Sequence, residues 1–244
     1  MLLPKIRVTR NPVFAVIIDN CFGASTSERI LLHLLSLRDN FKPATIGTRG
    51  RLAGRYRSNL TCYIDSLFGG PWISDPPQHP TKSKSTRSKS VLLKTLDEFI
   101  QSDFAKTVMD TTPFPVCKFR HLDTWETQVG RYGGNRQFYS WHKDRLAQYG
   151  DRRIVTMIYY VHRSPKKFNG GQLWLSDGLI FQGTLVSPGQ ILRIEPKNDR
   201  LVIIDSRTPH CVRPTLSSSR FEDGRFAANV WIGKAGSFPE DETY

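Results

Sequence analysis

Apolar and polar positions fall into two regimes along this chain. In the first, apolar residues recur at helical spacing. Residues 25–37 carry Ile30, Leu31, Leu34, Leu35 and Leu37, with Ser25 or Ser27 available as a cap, and residues 91–109 repeat the pattern with Leu92, Leu93, Leu96, Phe99, Ile100, Phe104 and Val108. Stripes of this width are what helices bury against a sheet. Ahead of them, residues 13–18 form a short apolar run suited to a strand, and residues 60–67 read as another. The second regime consists of short β-rich runs at 117–122, 126–132, 154–161, 172–175, 191–194, 201–204 and 225–231, punctuated by Gly, Pro, Asp or Asn. That pattern predicts a mostly β fold with flanking helices, an antiparallel double-sheet barrel rather than alternating β and α units.

Two stretches fit neither regime. Residues 42–57 are basic and glycine-bearing and read as loop or irregular edge. Residues 74–90 (SDPPQHPTKSKSTRSKS) contain three prolines, four basic side chains and no large apolar residue, so they cannot bury enough surface to order themselves. They predict a flexible loop that serves as a substrate lid, a basic contact or a solvated insertion. At 244 residues the chain suits a single domain over 1–244. Within it, residues 1–115 are expected to form a helical and β buttress and residues 116–233 the double-sheet core.

Charge widens the choice of partners without selecting one. The formal net charge is +13, and residues 1–90 hold fourteen Lys or Arg against five Asp or Glu. Nucleic acid, an acidic protein or an anionic small molecule would all be attracted, including a dicarboxylate gathered at an active site. Cys21, Cys62, Cys117 and Cys211 are scattered without CxxC spacing and read as free thiols in a reducing compartment. The apolar run before Asp19 is six residues long, and nothing elsewhere approaches a membrane span. The expectation is a cytoplasmic protein without membrane contact.

The candidate chemistry lies in His142 and Asp144 of FYSWHKD and in His210 of IIDSRTPHCV. In an extended strand, residues two apart point to the same face, so His142 and Asp144 can offer a nitrogen and an oxygen to one ion while Lys143 turns away. Two imidazoles and one carboxylate form the set that holds non-haem Fe(II) with neighbouring positions open. Taken singly, each residue is as well explained by a hydrogen bond at a turn or by an ordinary loop histidine. A structural zinc site would want a fourth protein ligand, and no cysteine stands beside these residues.

Four ordered blocks sharpen this reading: RYGGNRQFYSWHKD; RIVTMIYYVHR followed by FNGGQLWLSDG; LVIIDSRTPHCVRP; and GRFAANVWIG. Across them, from about residue 129 to 232, the chain resembles the Fe(II)- and 2-oxoglutarate-dependent dioxygenases, most closely those of the prolyl 4-hydroxylase type. The resemblance implies a double-stranded β-helix, or jelly roll (cupin-like), with iron on His142, Asp144 and His210. It implies that Tyr132 and Tyr160 contact 2-oxoglutarate, with Tyr159 one residue of register away. The basic anchor is Arg225, six residues before Trp231, or Arg220, ten after His210; the terminal block favours Arg225. Asn229 shares a strand face with Arg225 and joins the cofactor set.

The activity implied is oxidative decarboxylation of 2-oxoglutarate with O2, giving succinate and CO2 and hydroxylating an unactivated C–H bond, with ascorbate as reductant. Related halogenases replace the carboxylate ligand by a small residue, so Asp144 predicts hydroxylation. The implied substrate is an amino acid, free or within a peptide, with proline first, or another small metabolite. Nucleic-acid modification and a noncatalytic metal-binding module are the competing functions. Phe138, Trp141 and Trp174 read mainly as core packing, Gly170 and Gly171 as a tight return, and Arg145, Arg152, Arg153 and Arg163 as residues of connections and strand edges.

Overall fold

The computed structural model describes residues 3–46, 51–52, 54–67, 89–110, 124–134, 136–145, 153–187 and 189–233. Its strands begin with β1 (Lys5–Thr9), β2 (Ala15–Asp19), β3 (Lys42–Pro43), β4 (Thr45–Ile46), β5 (Arg51–Leu52) and β6 (Leu60–Tyr63). They continue with β7 (Thr124–Tyr132), β8 (Gln137–His142), β9 (Arg153–Val161), β10 (Phe168–Gly170), β11 (Leu173–Ser176) and β12 (Leu179–Phe181). The last are β13 (Thr184–Ser187), β14 (Ile191–Ile194), β15 (Arg200–Asp205), β16 (His210–Ser217) and β17 (Arg225–Gly233). One sheet runs in the order β1-β2-β15-β9-β17-β7-β6-β3, and a smaller one in the order β10-β16-β11-β14, with β8 on the other side of β16. All the pairings are antiparallel, which gives the double-sheet fold that the strand spacing predicts and the jelly roll that the resemblance implies.

Strand β9 shows how the layers form. Val155, Met157, Tyr159 and Val161 pack toward the helices with Val16, Ile18, Ile30, Leu34 and Leu96. Ile158 and Tyr160 face the other way, into the space between the sheets, with Ile17, Val202, Leu173 and Leu175. A strand covered on both faces reads as a continuous apolar run, which RIVTMIYYV is.

The helices are α1 (Ala24–Ser36), α2 (Ile64–Leu67), α3 (Val91–Gln101) and α4 (Asp103–Asp110). Ser90 caps α3 by accepting from Leu93 N at 3.3 Å, and His33 Nε2 lies 2.9 Å from the same hydroxyl, tying α1 to α3. The single helix expected over 91–109 is broken at Ser102. That residue is extended (ψ 150°), and its hydroxyl accepts from Ala105 N at 3.1 Å, so it starts a second helix. The expected strand over 60–67 ends at Tyr63, where α2 begins and Asp65 accepts from the backbone of Thr127. The expected loop at 74–90 lies outside the described residues up to 88, as does the run at 117–122. Among the described residues no helix is long and apolar enough to cross a membrane. Cys21, Cys62 and Cys211 are free thiols there, and burial raises the pKa of each.

Arg200 joins β15 to β2 by a two-point contact with Asp19, Nε to Oδ1 at 2.5 Å and Nη2 to Oδ2 at 2.8 Å. The hydrogen bond from Arg200 holds the Asp19 carboxyl below its ordinary value. A depressed folded-state pKa contributes stability above the unfolded value and loses it as pH falls through the folded one. Asp19→Asn is therefore expected to lower the melting temperature at pH 7 by about 2–4 °C, equivalent to roughly 1 kcal/mol. In melts across pH, the difference from the parent protein should shrink as pH falls below the ordinary carboxylate value of about 3.9 and through the depressed folded-state one.

Candidate metal centre

Strands β8 and β16 set His142 opposite His210, through a ladder whose register shifts on either side of Val212. Strand β8 stops at His142. Asp144 is delivered by the bend that follows, where the backbone N–H groups of Asp144 and Arg145 both donate to Ser206 O at 2.9 Å. The strand alternation expected to put His142 and Asp144 on one face is thus replaced by a turn pinned to the end of β15. The outcome for the side chains is the same: the ligand atoms of His142, Asp144 and His210 lie within 4.8 Å of one another. His142 Nε2 is 3.7 Å from Asp144 Oδ1, and His210 Nε2 is 3.4 Å from Oδ2.

The tautomers follow from the partners. His142 Nδ1 lies 2.7 Å from Ser140 O and His210 Nδ1 lies 2.8 Å from Thr208 O. A carbonyl only accepts, so each Nδ1 carries the proton and each Nε2 turns its lone pair toward the carboxylate. Thr156 donates to Asp144 Oδ2 at 2.8 Å, with Ser206 Oγ 2.9 Å from the Thr156 hydroxyl. Burial, reinforced by His210, pushes His142 down to about 3 and keeps it neutral at physiological pH. Burial works against the charge on Asp144, but His210, His142 and Arg153 outweigh it and hold its pKa below the ordinary carboxylate value. A neutral imidazole at His142 and an ionised carboxylate at Asp144 are the states that metal coordination needs. Thr156→Val, which removes the hydroxyl behind Asp144 and preserves shape, is expected to weaken Mn(II) binding about tenfold in a metal titration.

Next to these ligands the pocket is lined by Tyr132, Tyr139, Arg225, Asn229 and Trp231, with Ile158, Leu173 and Val212 as apolar walls. The Arg225 side chain is almost wholly buried, its Cζ 4.7 Å from the Tyr132 ring centroid and 4.8 Å from that of Tyr160. Arg225 Nε, Arg225 Nη1 and the Tyr160 hydroxyl are buried and have no hydrogen-bond partner among the described residues. Such groups are rare in protein interiors, and an anionic ligand would satisfy all three. Burial raises the pKa of both Tyr132 and Tyr160, so the phenols stay protonated and able to donate. Tyr159 points to the opposite face of β9, where its hydroxyl donates to Asp199 at 3.1 Å. Arg220 lies outside this pocket, exposed and bound to Glu222 at 2.9 and 2.7 Å.

Other neighbours of the centre carry no signal in the sequence. Arg57, in the stretch read as basic loop, is buried. It donates to Asn59 Oδ1 at 3.0 Å and Gln128 Oε1 at 3.2 Å, and its Cζ lies 4.3 Å from the Tyr139 ring. Tyr139 in turn stacks on His142, centroids 3.6 Å apart and planes 15° apart. Arg153 also turns inward, bonded to both Glu126 oxygens at 3.1 and 2.9 Å and lying 3.8 Å over the Trp231 ring. Trp174 departs from the core role expected for it. Leu173 and Leu175 take the interior positions of β11, so strand alternation sends Trp174 to the outer face, between β-sheet neighbours Arg193 and Arg213.

Residues 127–233 match the family model of the 2OG-Fe(II) oxygenase superfamily. An uncharacterized PKHD-type hydroxylase of Synechocystis sp. (strain ATCC 27184 / PCC 6803 / Kazusa) is 33% identical over 98 residues, covering 40% of this chain and 32% of that protein. The aligned segment thus spans about a third of that relative. Among solved structures, the prolyl hydroxylase of Trichoplax adhaerens, in complex with a hypoxia inducible factor oxygen degradation domain peptide, superposes with a TM-score of 0.60 at 23% identity, over 90% of this chain and 83% of that one. A Pseudomonas putida prolyl-4-hydroxylase gives 0.58 at 18% identity, over 91% and 93%. These structures share the fold. The resemblance drawn from the four sequence blocks holds over the segment that carries all three candidate ligands.

Proposed function

We propose that this protein is an Fe(II)- and 2-oxoglutarate-dependent dioxygenase that hydroxylates an aliphatic C–H bond of an amino acid, free or peptidyl, with proline as the first candidate. The observation that carries this reading is the composition of one pocket. Two imidazole Nε2 atoms and a carboxylate stand close together, and beside them lie the buried Arg225 Nε and Nη1 and the Tyr160 hydroxyl without a hydrogen-bond partner among the described residues. A molecule with a metal-binding 2-oxo acid at one end and a carboxylate at the other suits both groups.

In this account His142, Asp144 and His210 hold the iron. Arg225, Tyr160 and Tyr132 receive the far carboxylate, for which a planar guanidinium is apt, and Asn229 offers an amide on the same wall. Bound together, Fe(II), 2-oxoglutarate and O2 supply the oxidising power that converts C–H to C–OH; succinate and CO2 leave. The protein's own contribution is orientation: carbonyls fix both imidazoles, Thr156 fixes Asp144, and Tyr139 supports the His142 ring. A carboxylate at Asp144, where the related halogenases carry a small residue, would favour hydroxylation.

The substrate reading draws on the walls next to the ligands. Trp231, braced by Arg153, and the apolar side chains of Ile158, Leu173 and Val212 line the pocket with surface suited to an aliphatic side chain. The hydroxylase and prolyl hydroxylase descriptions of the similar proteins point the same way. The test is succinate formation from 2-oxoglutarate with Fe(II) and ascorbate across free amino acids, proline-containing peptides, other small metabolites and nucleic acids. Turnover stimulated by an amino acid or peptide is expected. Stimulation by metabolites or nucleic acid alone would move the substrate assignment to that class.

A further inference from the structure

We propose that Thr215 is a further anchor of the dicarboxylate co-substrate, its hydroxyl donating to the carboxylate that Arg225 and Tyr160 receive. The inference rests on the 2-oxoglutarate reading above and deepens it by naming a contact that no sequence motif marks.

Strand β16 carries His210 and Val212 to the pocket side, then exposes Arg213. The ladder with β8 shifts register between Val212 and Thr215, and Thr215 returns to the interior with no exposed surface. Regular alternation would have kept residue 214 on that side, so the irregularity places a hydroxyl where Pro214 would stand. Thr215 Oγ1 is buried and has no hydrogen-bond partner among the described residues. An interior threonine ordinarily bonds to a nearby carbonyl, so an unpartnered one points to a missing acceptor.

Gly171 shows that this hydroxyl lies beside Arg225. A Cβ built on Gly171 would lie 2.7 Å from Thr215 Oγ1, 2.8 Å from Arg225 Cδ and 3.4 Å from Arg225 Nε. The Thr215 hydroxyl and the Arg225 side chain therefore converge on this residue so closely that only glycine fits between them, at a backbone φ of +70° that itself favours glycine. Tyr160 OH, Arg225 Nε, Arg225 Nη1 and Thr215 Oγ1 are all buried and unpartnered. A carboxylate, with two oxygens and several lone pairs, can accept from all of them.

The test compares 2-oxoglutarate with 2-oxobutyrate, which keeps the metal-binding 2-oxo acid and lacks the far carboxylate. Their affinities for the Mn(II)-loaded full-length protein are measured by calorimetry, which needs no turnover. Thr215→Val keeps the shape and removes the donor, Thr215→Ser restores it, and Arg225→Gln controls for the parent reading. Thr215→Val is expected to weaken 2-oxoglutarate binding about tenfold, to leave 2-oxobutyrate and Mn(II) binding unchanged, and to be rescued by serine. Unchanged 2-oxoglutarate affinity in Thr215→Val, with a loss in Arg225→Gln, would overturn the Thr215 contact and leave the pocket reading standing. Unchanged affinity in both variants would overturn both. An equal loss for the two 2-oxo acids in Thr215→Val would assign Thr215 a packing role and overturn the contact.

Discussion

Asp144→Ala is expected to abolish hydroxylation and to reduce metal affinity more than about 100-fold, because loss of an outer-shell partner alone costs 10–100-fold at such sites. Asp144 is the anion of the set, less than 4 Å from both Nε2 atoms, and its removal leaves only the two imidazoles. The substitution should leave the metal-free fold intact. Some stability is lost with a carboxylate whose pKa its neighbours hold below the ordinary value despite burial, but the Thr156 hydroxyl it strands still has Ser206 as a partner. A thermal melt separates the two effects. Mn(II) should raise the melting temperature of the parent protein through its binding to the folded state alone, and it should leave that of Asp144→Ala unmoved. Retained metal-dependent stabilisation in the variant would show that the ion is held elsewhere.

The second large effect belongs to Arg225. Arg225→Gln is expected to raise the dissociation constant for 2-oxoglutarate by about 100-fold or more, since it removes a buried charge-assisted pair. Arg220→Ala should leave that constant unchanged. The two arginines compete on sequence spacing alone, but only Arg225 is buried between the Tyr132 and Tyr160 rings with unpartnered nitrogens, whereas Arg220 is exposed and engaged by Glu222. Direct binding to the Mn(II)-loaded protein checks both variants. A selective loss in Arg220→Ala would reverse the assignment.

What the sequence disclosed was governed by how local each cause was. The strands β9, β14 and β15 were legible because their apolar runs are continuous and bounded by turn residues. The break at Ser102 was hidden because the apolar stripe of α3 continues in phase into α4 while a single hydroxyl redirects the backbone. Residues two apart suggested the His142–Asp144 pair, yet the bend held by Ser206, more than sixty residues away, is what aims Asp144. Long-range pairings have no local signature: β2 is hydrogen-bonded to β15, and Arg57 reaches the centre from a segment that reads as basic loop. Trp174 shows the converse, since an aromatic in a β-rich run suggests core, and only the phase of β11 reveals that it faces outward. Thr215 is of the same kind, because its inward position depends on the register shift in β16.

The central claim, that one pocket holds iron on His142, Asp144 and His210 and 2-oxoglutarate on Arg225, is tested most directly by a crystal structure of the protein with Mn(II) and 2-oxoglutarate. Anomalous scattering should place the metal between the two Nε2 atoms and the Asp144 carboxylate, with the far carboxylate of the co-substrate against Arg225. A metal peak away from these three side chains, or a carboxylate bound at Arg220, would contradict the account.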